Sequence, residues 1–178
     1  QNRLLEELAN VARETHKPLI VVLVSSKPQV LPACVIGENG VIVDESAADG
    51  LGALLWAANP GMQGGRAIAE IIFGKTEPSG RLPITFPRHA GQLPVFYNEI
   101  RGQHGNRYAD LTQDPAFAFG EGLSYTTFEY GDPQIVNGSE FRAGDTVRVE
   151  VDLTNTGART GTEVVQLYIS DVVTSFTW

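Results

Sequence analysis

The sequence predicts an α/β layered region that passes, through a long irregular stretch, into an antiparallel all-β region. Three observations carry this reading. Leu4, Leu5, Leu8, Val11 and Ala12 recur at i, i+1, i+4, i+7 and i+8, one stripe of an amphipathic helix. "LIVVLV", Leu19 to Val24, is continuously apolar and β-branched, which suits a strand covered on both faces in a parallel sheet. After about residue 127 the period drops to two, with Val147, Val149, Val151 and Leu153 alternating with Arg148, Glu150, Asp152 and Thr154.

The first helix stops at Lys17-Pro18, because proline offers no N–H and disfavours helix in the residue before it. "SSKPQVLPA" follows the first strand at its carboxyl end, where open α/β sheets bind ligands. Ser25, Ser26 and Lys27 therefore stand where a site could be, although a solvated loop is the favoured reading of them. Val41 to Val43 suits a short strand and Asp49 to Gly52 a turn, and "ALLWAA", Ala53 to Ala58, reads as a second buried strand closed by Asn59-Pro60-Gly61. Gly64 and Gly65 then precede "RAIAEIIFG", whose Ala67, Ile68, Ile71 and Ile72 mark a helix face that Gly74 ends. Gly61, Gly64 and Gly65 lack the spacing of a phosphate loop and are explained by a strand-to-helix turn that needs positive φ. Helix alternating with buried strand is the pattern of an α/β layer architecture.

"EPSGRLPITFPR", Glu77 to Arg88, reads as a turn at Pro78 and Gly80 followed by a short strand with Leu82, Ile84 and Phe86 on one face. Pro83 and Pro87 restrict that strand to an edge, so it is expected to close the α/β sheet. Residues 88–126 show no sustained period, and a loop this long is functional or wraps a neighbouring domain. It concentrates Gln103, His104, Asn106, Arg107, Tyr108 and Asp110, groups that suit a polyhydroxylated ligand or that pin the loop to a neighbour. Asp114-Pro115 and Gly120 to Gly122 resemble turn devices and weigh towards pinning. Gln103, His104 and Arg107 are the candidate substrate-binding residues. Beyond them, "TTFEYGDPQIV", the run at 147–154, a turn at Asn155 to Gly161, and the alternation of Val165, Leu167 and Ile169 predict about three antiparallel strands. A complete β-sandwich of this kind takes roughly seven strands and about 100 residues, so this one is incomplete.

Composition narrows the function. With 42% apolar residues among 178, the chain is ordinary for a folded protein, and a net charge of -8 argues against nucleic-acid and anionic-membrane partners. Cys34 is the single cysteine, so no internal disulfide forms, and no apolar run approaches the roughly 18 residues of a membrane helix. The chain opens on Gln1 and its one methionine is Met62, which points to a portion of a longer product. Glu38, Asp44, Glu45, Asp49, Glu70, Glu77, Asp110 and Glu121 are acid or base candidates by type, and no motif singles one out. His16, His89 and His104 are scattered, without metal-ligand spacing, and no nucleophile elbow is present. No catalytic residue, metal or cofactor is therefore assigned to this chain.

"NPGMQGGRAIAEIIFGKTEPSGRLPITFP", 59–87, resembles a signature of glycoside hydrolase family 3, the β-glucosidase and β-xylosidase family. "FAFGEGLSYTTFEY", 117–130, resembles that family's P-F-G-x-G-L-S-Y-T-x-F-x-Y segment, and "LTNTGARTGTEVVQLYISD", 153–171, the opening strands of its fibronectin type III-like domain. "KPLIVVLVSSKP" is similar to the strand before them. "CVIGENGVIVDESAADGLGA" is longer than the family's usual connection, and the "GQHGNRYADL" loop belongs to a subset. The resemblance implies a partial α/β sandwich with flavodoxin-like layers over 1–90, an interdomain loop over 91–126, and an incomplete fibronectin III-like sandwich over 127–178. It implies a retaining exo-acting β-glycosidase, β-glucosidase foremost, acting on oligosaccharide or β-glycoside substrates. In the family, a TIM-like barrel supplies the nucleophilic Asp, and a loop upstream of the helix matched by Leu4 to Ala12 supplies the acid/base Glu. No catalytic residue carries over, so a partner polypeptide with the barrel and the rest of the sandwich is expected, and the isolated chain is expected to be inactive. A non-catalytic carbohydrate-binding or assembly module is the alternative; a nucleotide-binding flavodoxin-like domain lacks any phosphate motif. Cytoplasmic, periplasmic and secreted locations all remain open.

Overall fold

A computed structural model describes residues 2–36, 51–98, 112–170 and 172. The strand expected at Val41 to Val43 lies outside the described residues. α1 (Asn2–Thr15) is followed by β1 (Leu19–Leu23), α2 (Ala33–Ile36), β2 (Leu51–Trp56) and α3 (Gly64–Ile72). Four short strands come after them: β3 (Phe128–Tyr130), β4 (Gln134–Ile135), β5 (Val149–Glu150) and β6 (Leu153–Asn155).

β1 and β2 pair in parallel, with Ile20 opposite Ala53 and Leu23 opposite Trp56, as the continuous apolar runs predict. Cover on both faces is not what the described residues show. Leu19, Val21, Leu23, Leu54 and Trp56 pack against the core, whereas Ile20 and Val24 are exposed. α1 forms where its stripe predicts, but the stripe divides. Leu5, Ala9 and Ala12, at i, i+4 and i+7, turn inward, and the adjacent row of Leu4, Leu8 and Val11 stays exposed. A seam built on two alanines is narrow, so one row of larger side chains is left beside it.

Two glycine readings are corrected. Leu51 and Gly52, expected in a turn, belong to β2, because Gly52 serves close approach: a Cβ there would lie 2.8 Å from Pro18 Cβ. Gly64 begins α3 rather than preceding it and is buried against Pro60, while Gly61 alone of the three takes a positive φ, 67°. Gly74 ends α3 as expected, with φ 71° and its N–H donated to Ile71 O at 2.8 Å.

The largest correction concerns "EPSGRLPITFPR". It adds no strand to the α/β sheet and pairs instead with 116–121. Leu82 N–H donates to Glu121 O at 2.8 Å and Gly120 N–H to Leu82 O at 2.7 Å; four residues on, Phe86 N–H donates to Phe117 O at 2.9 Å and Ala116 N–H to Phe86 O at 2.8 Å. Pro83 and Pro87 have no N–H, so no continuous ladder forms and pairing falls on Leu82 and Phe86. The three apolar residues also do not share a burial: Phe86 is 2% exposed, whereas Ile84 is 39% exposed. Phe86 is the centre of the core, edge-on to Trp56 at 5.3 Å and to Phe117 at 5.9 Å, with Leu31, Val35 and Ala116 around it.

The later strands pair antiparallel, β3 with β6 and β4 with β5, as the change of period predicts. The single run expected over 147–154 is split, because Val151 and Asp152 lie between β5 and β6 and Asp152 O accepts from Gly131 N–H at 2.9 Å. Val165, Leu167 and Ile169 form no ladder and are exposed. Alternation marks a strand only when another strand and a covering face meet it, and among the described residues neither does.

Truncating Phe86 tests this account of the core. Phe86→Ala is expected to cost about 3–5 kcal/mol in denaturant unfolding, and Ile84→Ala no more than about 1 kcal/mol. Equal losses for the two variants would contradict the packing.

Candidate functional site

The sequence-predicted ligand residues Gln103, His104 and Arg107, together with Asn106, Tyr108 and Asp110, lie outside the described residues. The structure does describe both flanks of that stretch, and one side chain ties them. Gln92 is 7% exposed and belongs to a short 3-10 turn, Ala90–Gln92. Its Oε1 accepts from the N–H groups of Arg88 at 2.6 Å and His89 at 3.2 Å; its Nε2 donates to Thr112 O at 3.1 Å and Asp114 O at 3.2 Å. All four hydrogen-bonding capacities of the amide are used. His89 caps the same turn, accepting from Gly91 N–H at Nδ1 at 3.0 Å, and Arg88 Nε donates to Asp114 O at 3.1 Å. Gln92 carried no sequence signal, because a buried amide and a solvated one look alike in "AGQLP".

A second polar assembly joins the α/β part to the β part along residues 71–81. Tyr125 hydroxyl donates to Ile71 O at 2.7 Å, and Arg159 donates to Gly74 O at 2.6 Å while its guanidinium sits 5.0 Å from the Tyr125 ring centre. Ile71 O thereby takes a second donor beside Gly74 N–H, and Gly74 O, just past the helix, takes a charged one. Glu77 accepts from the Ser124 hydroxyl and, at 2.9 Å, from Thr162 N–H. Arg81 reaches Glu163 at 2.5 Å with both side chains nearly buried, and Tyr130 hydroxyl donates to the other Glu163 oxygen at 2.8 Å. Burial, and then that hydrogen bond to Glu163, push the Tyr130 phenol above its ordinary value.

The carboxylates singled out by type are spent on such structural bonds where they are described. Glu70 is paired with Arg66 at 2.8 Å and Lys75 at 2.9 Å, and these hydrogen bonds hold its carboxyl below the usual range. Glu121 accepts from Ala118 N–H at 2.7 Å within its own turn. Glu38, Asp44, Glu45, Asp49 and Asp110 lie outside the described residues. At the carboxyl end of β1, Ser25 donates to Lys27 O at 2.8 Å, Gln29 donates to Ser25 Oγ, and Trp56 Nε1 donates to Ser25 O at 2.8 Å. Ser25 is thus built into a turn that anchors Trp56. Among the described residues no group of three or more His, Cys, Asp or Glu is arranged to hold a metal ion. Cys34 is partly buried, and burial followed by the nearby Glu6 charge raise its thiol above the ordinary value.

Comparison with known proteins gives consistent matches. The family model described as "Glycosyl hydrolase family 3 C-terminal domain" matches residues 1–125. The periplasmic beta-glucosidase of Salmonella typhimurium is 36% identical over 179 residues, 95% of this chain and 22% of that protein. A beta-xylosidase of Formosa agariphila is 42% identical over 173 residues, 93% of this chain and 21% of that protein. The solved structure of a beta-glucosidase involved in saponin metabolism from intestinal bacteria shares 66% identity at a TM-score of 0.87, covering 98% of this chain and 24% of that one. The chain thus spans about a fifth of the length of the curated relatives it matches.

Two measurements test these ion pairs, one across the seam and one at the end of α3. In a double-mutant cycle on Arg81→Met and Glu163→Gln, a coupling energy of about 1–3 kcal/mol is expected, and additive losses would show that the pair does not act as a unit. Glu70, whose folded carboxyl titrates below the unfolded one, contributes stability that is present above the unfolded value and is lost as pH falls through the folded value. The stability gap between the native protein and Glu70→Gln is therefore expected to shrink on acidification below the ordinary carboxylate range, and a gap that widens there would reverse the assignment.

Proposed function

This chain belongs to glycosyl hydrolase family 3, and on that premise we propose that it is the C-terminal part of a retaining, exo-acting β-glycosidase that removes terminal β-linked sugars. The observation that carries the reading is the match of 98% of the chain to a β-glucosidase at 66% identity and a TM-score of 0.87. β-Glucosides are the first substrates to test, and glycosides with a bulky aglycone follow, since that relative is described as acting in saponin metabolism. The named β-xylosidase relatives keep β-xylosides in the set.

Retaining hydrolysis needs two carboxyl groups about 5 Å apart, one as nucleophile and one as acid/base. Glu70, Glu77 and Glu163 are each committed to structural partners, which fits a supporting rather than a reacting role. The nucleophile and the acid/base are therefore assigned to a barrel and an upstream loop carried by another stretch of polypeptide. In this reading residues 1–90 belong to an α/β sandwich domain, 91–126 form an interdomain loop, and 127–178 open a fibronectin III-like sandwich. Gln103, His104 and Arg107 are proposed to contact sugar hydroxyls: amide and imidazole give and accept hydrogen bonds, and guanidinium donates several. The fully bonded Gln92 amide, which ties 88–89 to 112–114, supports that role by holding both flanks of the stretch in register.

Alanine replacement of Gln103, His104 or Arg107 in the complete enzyme is expected to raise KM for an aryl β-glucoside about two- to tenfold each, the worth of one hydrogen bond, with smaller changes in kcat. The isolated chain is expected to release no product. Hydrolysis by the isolated chain, abolished by changing one of its own carboxylates, would overturn the assignment.

A further inference from the structure

One short motif plays no part in the seam or in the proposed glycosidase activity: Asn137-Gly138, at the mouth of the β4–β5 hairpin. The ladder of Gln134 with Glu150 and Ile135 with Val149 is extended by Val136 N–H donating to Arg148 O at 3.0 Å. Beyond that point the Asn137 side chain replaces the second strand's partner. Its Oδ1 accepts from Arg148 N–H at 2.7 Å and its Nδ2 donates to Thr146 O at 2.6 Å. Both bonds are short, both are made to backbone groups, and together they clamp the hairpin nine and eleven residues away along the chain. Asn137 and Gly138 are themselves exposed to solvent, and Gly138 has φ 136°, a conformation that a side chain disfavours.

We infer that Asn137 is a site of spontaneous deamidation that this clamp holds off. An asparagine followed by glycine is open to attack on its own side chain, because no Cβ on the next residue obstructs the approach. The Gly138 backbone nitrogen, on losing its proton, bonds to Asn137 Cγ. The Cγ–Nδ2 bond breaks, and Nδ2 takes up a proton and leaves as ammonia. Water then opens the cyclic imide to aspartate or isoaspartate, so no oxidant or cofactor enters. In the folded hairpin Nδ2 and Oδ1 are both engaged, and the side chain is free to be attacked only when the clamp opens. The reaction rate is therefore tied to local opening of the hairpin. The product feeds back on that opening. An aspartate carboxylate still accepts from Arg148 N–H but has no hydrogen to donate to Thr146 O, which then faces an anion. An isoaspartate also lengthens the backbone at the turn. Once formed, either product lacks the bond to Thr146 O, and the clamp is weakened.

The test is to incubate the protein in mildly alkaline buffer, native and in urea, and to follow by peptide mass mapping the conversion of Asn137 to aspartate and isoaspartate. Conversion about tenfold or more slower in the native protein is expected, since the native rate is scaled by the fraction of time the hairpin is open. Equal rates would overturn the inference, and so would an Asn137 that stays intact in urea. Asn137→Ala, which removes both bonds, supplies a second readout: amide hydrogen exchange at Arg148 is expected to accelerate while exchange within α3 is unchanged. Unaltered protection at Arg148 would show that the amide does not clamp the hairpin.

Discussion

The arrangement of the two halves depends on a reciprocal exchange of carboxylates between two short segments. From one side Glu77 takes hydrogen bonds from Ser124 and Thr162; from the other Glu163 takes Arg81. Glu77 accepts and Arg81 donates on one segment while Thr162 donates and Glu163 accepts on the other, so sliding one past the other breaks both of these contacts together. Such a pair gains little net stability, because desolvating an arginine and a glutamate costs about as much as their attraction returns. What it confers is orientation. An unpaired carboxylate at either position would be strongly unfavourable, which leaves one docking geometry for the β part against 71–81. Tyr125 and Arg159 extend the same contact to the end of α3 through Ile71 O and Gly74 O.

That docking explains why the family-like motif at 77–88 is rich in special residues. Its prolines stop it from joining the α/β sheet, and its Gly80 carbonyl comes so near Gly122 that a Cβ there would lie 2.7 Å away. Its Phe86 is left to fill the space between Trp56 and Phe117. The segment thus faces two ways: its apolar residues complete the α/β core, and its charged residues, Glu77 and Arg81, receive the β part. The stretch that returns through 112–122 is bonded to this segment at Asp114, Ala116, Phe117, Gly120 and Glu121, and it adds Ala116 and Phe117 to the same core.

Much of the α/β part was legible in the sequence because its signals are local. The apolar run at Leu19 to Leu23, the helix stripe after Gly64 and the stop at Gly74 each depend on neighbours a few residues away. Ser25, Gln92 and Glu163 were not legible, since each owes its role to partners far off in the chain: Trp56 to Ser25, Thr112 to Gln92, Arg81 to Glu163. The strand expected at Leu82 to Phe86 failed for a related reason. Alternation showed which side chains favour burial, but the choice of pairing partner rested on which backbone N–H groups two prolines had removed. The candidate ligand residues were chosen for their chemistry alone, and Gln92, which ties 88–89 to 112–114, is an ordinary glutamine until its four bonds are traced.

The distribution of polar groups also bears on where the chemistry sits. A general acid or base needs a carboxyl whose environment leaves it free to exchange a proton with substrate. Glu70 is hydrogen-bonded to two cations that hold its carboxyl below the usual range, Glu163 pairs with a nearly buried arginine, and Glu77 accepts from a hydroxyl and a backbone amide. Each is engaged by hydrogen-bond donors of the protein, and turning any of them to a substrate would forfeit those bonds. A glycosidase that placed its reacting pair at Glu77 and Glu163 would have to dismantle the seam that aligns its own halves. The reacting carboxyls and the aligning carboxylates are thus best kept on different parts of the molecule, and residues 71–81 and 159–163 are committed to alignment.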